Sequence, residues 1–238
     1  MRHLTSFALA ATLGVAILAT IETSFGQGSF VFSNIGANGG GTNAIYGPAP
    51  ADPHRQQWGN TPAGGPPGTN AYAGAPVAGT NYSVEAWRSL TPAQNAFALQ
   101  PGASSVSGSL ATFFTGAGAG FFFGGTVSSD YTYNPDQLPG QSQGVYLQVR
   151  GWDNAGGQLG TWDAAWNAAQ AGGGNAVGWS KVFWQPLGFG SAPSPGTINF
   201  ESFNIFTVPE PGTVSLIALG GAALFWSIRF RPHQRRTK

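Results

Sequence analysis

Cysteine is absent from the chain, so disulfides, thiolate nucleophiles and Cys-ligated zinc are excluded together, and stability has to come from packing. Charge is almost as scarce: Asp, Glu, Lys and Arg make up 8% of the 238 residues. Between residues 27 and 207, four basic side chains (Arg55, Arg88, Arg150, Lys181) stand against seven acidic ones (Asp52, Glu85, Asp130, Asp136, Asp153, Asp163, Glu201), a net charge of about −3. A surface without a basic stripe has no means of holding a polyphosphate, which argues against nucleic acid as a partner. His54 is the only histidine in that stretch. Metal ligation by histidine therefore lacks a second ligand, no Asp-x-Asp-x-Asp calcium loop occurs, and no metal or cofactor is expected. The run Gly116-Ala117-Gly118-Ala119-Gly120 leads into Phe121-Phe122-Phe123 rather than a helix start bearing Lys. These glycines therefore suit turns, not phosphate binding. No repeat of fixed period is evident, which argues against a solenoid or propeller.

What the chain has in abundance is glycine (37 residues), proline (17) and aromatic side chains (13%). Together with alternating apolar and polar residues over 29–33, 82–87, 127–133, 145–150, 179–184 and 197–206, they predict short strands separated by turns. The expected fold is all-β: one antiparallel β-sandwich or jelly-roll-like domain over residues 27–207. In Val145-Tyr146-Leu147-Gln148-Val149-Arg150 the aliphatics should face the core while Gln148 and Arg150 face water. The same alternation makes Glu85 and Glu201 solvent-facing. Residues 36–80 read as a long Gly/Pro-rich loop with too few apolar side chains for a core, expected in part to be disordered or to lie flat on the sandwich. One short helix is predicted over 161–171, with Thr161 as cap, Asp163 in the first turn and Gly172 following. Trp162 and Trp166 share a face of it and are expected to cover an open edge or end of the sandwich.

Both ends read as addresses. Arg2 and His3, an apolar run from Phe7 to Ile21 and Ser24-Phe25-Gly26 form the three zones of a secretory signal peptide, assigned to residues 1–26 with cleavage near Gly26 or Gln27. At the other end Val208-Pro209-Glu210-Pro211-Gly212-Thr213 precedes an apolar stretch from Val214 to Ile228, then Arg229, Arg231, Arg235, Arg236 and Lys238. That stretch is just long enough to cross a thin membrane, with the basic residues held in the cytoplasm as a stop. The prolines flanking Glu210 keep the tripeptide out of helix and sheet, leaving an extended peptide for a processing enzyme. In this order of motif, span and basic cluster, residues 208–238 resemble the PEP-CTERM sorting domain of exported Gram-negative proteins. The resemblance implies that an integral-membrane exosortase recognises Pro209, Glu210 and Pro211 and that the inner membrane serves as a transient anchor. It further implies release to the cell surface or extracellular matrix, in association with exopolysaccharide and biofilm, as in Verrucomicrobia and Planctomycetes.

Few residues point to catalysis, and a non-enzymatic surface protein is the expected function. His54 sits in the loop Asp52-Pro53-His54-Arg55 with nothing to hold it opposite a nucleophile. Asp153 and Asp163, both near aromatic residues, are the best pair for a glycoside hydrolase. Yet Asp153 equally starts an Asx turn, and Asp163 equally serves a helix N-terminus. The alternative function is a carbohydrate-binding or adhesive module, in which exposed Trp152, Trp162 and Trp166 stack on sugar rings.

Overall fold

The computed structural model describes residues 27–35, 43–59, 72–91, 95–100, 102–132, 143–197 and 199–209. The expected signal peptide, and the tail beyond Pro209 with Glu210, Pro211 and the basic cluster, lie outside the described residues. Among the described residues no helix is long and apolar enough to cross a membrane.

Gly, Pro and Asn clusters cut the chain into β1 (Gln27–Ser33), β2 (Ile45–Tyr46), β3 (Tyr82–Ser89), β4 (Ser104–Ser105), β5 (Ala111–Thr112), β6 (Phe123–Thr132), β7 (Gly144–Asp153), α1 (Trp162–Gln170), β8 (Ala176–Trp179), β9 (Phe183–Pro186), β10 (Phe203–Asn204) and β11 (Phe206–Thr207). Among the described residues the fold is mostly β with one α-helix, and its sheets are open. The main sheet runs β11-β8-β7-β3-β4, with β5 also on β3 and β9 also on β7. Every strand pair in it is antiparallel. A second sheet pairs β1 with β6, and β2 lies parallel to β10.

Val84, Val145, Leu147 and Val149 point from one face of the main sheet into a core shared with Phe30 and Phe32 of β1. Each such aliphatic or aromatic side chain, fully buried, contributes about 1.5–3 kcal/mol. The described parts of 36–80 join this core rather than resting outside it. Ile45 and Val77 are buried, and the hydrogen bonds Ile45 N to Gly120 O and Val77 N to Ile45 O fix them there. Tyr72 donates its hydroxyl to Ser202 O at 2.8 Å and stacks on Tyr46.

Two expected strands are broken, each for a local reason. In the run 179–184, Arg150 pairs with Trp179 and Leu147 with Phe183. Two residues of β7 therefore oppose three of the partner, which is a β-bulge. Ser180 fills it: its Oγ accepts Val149 N–H at 3.0 Å and its own N–H reaches Val149 O at 2.8 Å. In the run 197–206, Phe203 pairs with β2 whereas Phe206 pairs with β8. The chain changes sheets at Ile205, so no single strand can form.

The second face of the main sheet is not wet. Gln148 is buried, and Trp152, Trp162, Ala165, Ala169 and Val177 form a second core between sheet and helix. Helix α1 starts on Thr161, whose Oγ1 accepts Ala164 N–H at 3.3 Å, with Asp163 in the first turn. Residues 162, 165, 166 and 169 recur at the spacing of one helical face. That face lies over β7 and β8, so the two tryptophans cover a sheet face rather than an edge or end. The layer order is thus β1/β6, main sheet, helix.

Two substitutions probe this packing. A Cβ added at Gly178 of β8 would strike the carbonyl oxygen of Asn204 and come within 2.8 Å of Ile205 Cα. Gly178→Ala is expected to cost roughly 1–3 kcal/mol in urea unfolding, and an unchanged midpoint would contradict the close crossing of β8 and β10. Thr161→Ala should cost about 1 kcal/mol through loss of the cap, read as a lower thermal midpoint.

Candidate functional site

Period-two alternation on three adjacent strands sets the outer face of the main sheet. Glu85 and Trp87 come from β3, Gln148, Arg150 and Trp152 from β7, and Val177 and Trp179 from β8. Register places Arg150 directly between Glu85 and Trp179. Its guanidinium lies 3.9 Å over the Trp87 ring and 5.2 Å from that of Trp162, an arrangement that stabilises a cation in aromatic surroundings. Arg150 Nε–H donates to Gln148 Oε1 at 3.1 Å. Gln148 Nε2 donates in turn to Phe97 O at 2.8 Å and Ser180 O at 3.3 Å.

Glu85 is not solvent-facing as expected. It is half-buried and accepts Trp87 Nε1–H at 2.9 Å. Burial pushes its carboxyl above the ordinary value, opposed by hydrogen bonds to the ionised form and by Arg150. Burial likewise pushes Arg150 down to about 10, opposed by Asp163 and then by Glu85. Arg150 therefore stays cationic at neutral pH with two carboxylates near it. Glu201 is also not free on a strand: it precedes β10 and its Oε2 pairs with Lys181 Nζ at 2.7 Å.

The bulge at Ser180 and the loop 95–100 open a cleft at the end of this cluster. Val182 N–H reaches Ala96 O at 2.8 Å, drawing the loop over the sheet. Phe97 of that loop packs 4.4 Å from Trp58, whose Nε1–H donates to Trp179 O at 2.7 Å. The resulting cavity of about 310 Å³ is lined by Phe97, Ala98, Leu99, Gln148, Arg150, Trp162, Trp166 and Trp179. The Trp166 and Trp179 rings meet at 5.7 Å and 79°, forming a corner.

The three tryptophans proposed from sequence as sugar contacts fare differently. Trp152 is fully buried, with Nε1–H on Leu159 O, and has no surface to offer a ligand. Trp162 is 6% exposed and lines the back of the cleft, while Trp166 is half-buried at its wall. Phe97, Trp179, Gln148 and Arg150 were not expected as site residues, and Gln148 and Arg150 were expected to face water. The signal that could have found them is Arg150 itself, a charge two residues from Trp152 and therefore on the same strand face in a charge-poor chain.

Asp153 and Asp163 are not brought together. Asp153 faces away from its neighbour Trp152, toward cross-strand Tyr82, and its Oδ1 accepts Ala155 N–H in a turn. Asp163 belongs to the helix on the opposite side of the sheet. His54 is engaged too: its Nδ1 lies 2.7 Å from Thr207 O and 3.1 Å from Thr207 Oγ1. Thr207 N–H also donates to Pro53 O at 2.8 Å, and Val208 packs on the tryptophan cluster. Pro209, the first residue of the predicted sorting motif, follows exposed. Among the described residues no group of three or more His, Cys, Asp or Glu could hold a metal ion.

Residues 207–231 match the PEP-CTERM protein-sorting motif. No match is found among curated proteins or among solved structures. The motif supports an exported protein, sorted while membrane-anchored and processed by an exosortase.

Glu85 makes the outer face pH-sensitive. Because its carboxyl is raised above 4.5 in the fold, the folded state keeps the proton to higher pH than the unfolded chain does. Stability contributed by the protonated form is full below the unfolded value and is lost as pH rises through the folded one. Glu85→Gln keeps an acceptor for Trp87 and removes this titration. The expected result is a flatter dependence of the urea midpoint on pH immediately above 4.5; an unchanged slope would rule out Glu85 as its source.

Proposed function

We propose that this chain is an exported, non-enzymatic surface protein, cut at the inner membrane by an exosortase and delivered to the cell surface or extracellular matrix, where it accompanies exopolysaccharide in a biofilm. The observation that carries the reading is the sorting-motif match over residues 207–231. In that reading Pro209, Glu210 and Pro211 are what the exosortase recognises, Val214 to Ile228 is the temporary span, and the arginines from Arg229 with Lys238 hold its cytoplasmic end. The non-enzymatic part is supported by the chemistry of the domain. His54 spends its Nδ1 on the backbone and hydroxyl of Thr207, and the one plausible pair of acids is divided by the main sheet, whereas glycoside hydrolysis needs both carboxyls flanking one bond.

A second reading, a carbohydrate-binding module, is favoured by one specific observation: the cavity walled by Trp166, Trp179 and Phe97. Concave sites with aromatic walls and a few polar groups are where small ligands bind. The two readings are compatible, since a matrix protein has use for a sugar site.

Replacing Pro209, Glu210 and Pro211 together by alanine should leave full-length protein in the membrane fraction, with the processed form missing from the surface and medium on immunoblots. Equal release of the variant and the parent would refute the sorting assignment.

A further inference from the structure

We infer that the cleft between α1, the bulge at Ser180 and the loop 95–100 seats an uncharged pyranose ring, stacked in the corner of Trp166 and Trp179 and hydrogen-bonded by Arg150. The inference rests on the carbohydrate-binding reading and adds to it the ligand's charge class and the residues that hold it.

The shape is the first argument. Two indoles meeting at 79° and 5.7 Å, with Phe97 nearby, offer two flat apolar surfaces at an angle. A pyranose ring has an apolar C–H face and polar edges, so it can cover one indole while its rim meets the other. The volume of about 310 Å³ falls at the small end of ligand sites, suited to a sugar unit rather than a folded peptide. Phe97 is 40% exposed and the two tryptophans are half-buried, so these rings keep surface that core packing alone would have covered.

Polar chemistry supplies the second argument. Arg150 lines the cavity and its Nε–H is committed to Gln148. Among the described residues its two terminal amino groups have no hydrogen-bond partner, which leaves donors for ring hydroxyls. A purely aliphatic ligand would leave those donors without partners, a cost that hydroxyls avoid.

Charge decides between sugars. Glu85 lies directly across the strand from Arg150, and Asp163 on α1 also acts on its charge. The cation is therefore partly balanced from within the protein and offers a ligand carboxylate little net attraction. A ligand ammonium would approach Arg150 itself. An uncharged ring needs no counter-charge from the cleft and meets no repulsion from Arg150.

The test uses the full chain in mild detergent, with gluco-, manno- and galacto-configured neutral hexasaccharides, a hexauronate and a glucosamine hexamer, followed by tryptophan fluorescence and calorimetry. At least one neutral oligomer is expected to bind more tightly than either charged one. Trp166→Ala and Phe97→Ala should each weaken that binding about tenfold, as loss of one stacking surface does. Phe97→Ala guards against misfolding of the helix variant, since Phe97 sits on an exposed loop. Tighter binding of the hexauronate or the glucosamine oligomer would overturn the charge assignment while leaving a sugar site in place. Neutral binding unchanged in both variants would overturn the location. Absence of binding by every oligomer would overturn both this inference and the carbohydrate reading, without touching the sorting assignment.

Discussion

Strand β7 carries aliphatic side chains on one face and Gln148, Arg150 and Trp152 on the other, and both faces are covered. Covering the second face is the demanding step. A carboxamide withdrawn from water must find hydrogen-bond partners at once, and a guanidinium partly withdrawn needs nearby opposite charge or aromatic faces, because an unsatisfied buried polar group costs more than the hydrogen bond it would have made. The partners come from elements far apart in sequence: Ser180 from the bulge, the carbonyl of Phe97 from a loop, Glu85 from β3, and the rings of Trp87 and Trp162. Bulge, loop and helix all contribute to that covering, and the cleft lies where they fail to meet completely.

Tryptophan does in this domain what cysteine does in many exported ones. Trp58, Trp152 and Trp87 each anchor a large ring and also spend their indole N–H on a named acceptor: Trp179 O, Leu159 O and Glu85 Oε2. Trp58 and Trp152 thereby join two parts of the fold through packing and one directed bond, whereas the bond from Trp87 stays within β3. Trp162, Trp166, Trp179 and Phe206 continue the chain of ring contacts from helix to last strand. A network of this kind stays intact whatever the redox state of its surroundings, unlike a disulfide framework.

The class of fold was legible because alternation and turn residues are local signals: β1, β3, β6 and β7 lie where period two placed them, and Thr161 caps the helix it was expected to cap. What was not legible depends on contacts distant in sequence. Alternation put Gln148 and Arg150 on one face correctly, yet nothing within residues 145–150 reveals that a helix twenty residues on will roof that face. Residues 36–80 looked too polar for a core because, among the described residues, a few side chains, chiefly Ile45 and Val77, do the burying while backbone hydrogen bonds do the holding. The sorting motif was readable for the opposite reason. A peptide meant to be seen by an enzyme in extended form has to carry its whole message in consecutive residues.

The tie between Pro53-His54 and Thr207 lies two residues before Pro209. Two extended residues reach about 7 Å, whereas a domain of this length has a radius of gyration of about 16 Å. The stem is thus shorter than the body it carries. A partner that grips Pro209 meets the surface around His54 in the same encounter. The shape around His54, and not only the tripeptide, then belongs to what a processing enzyme working at Pro209 has to accommodate.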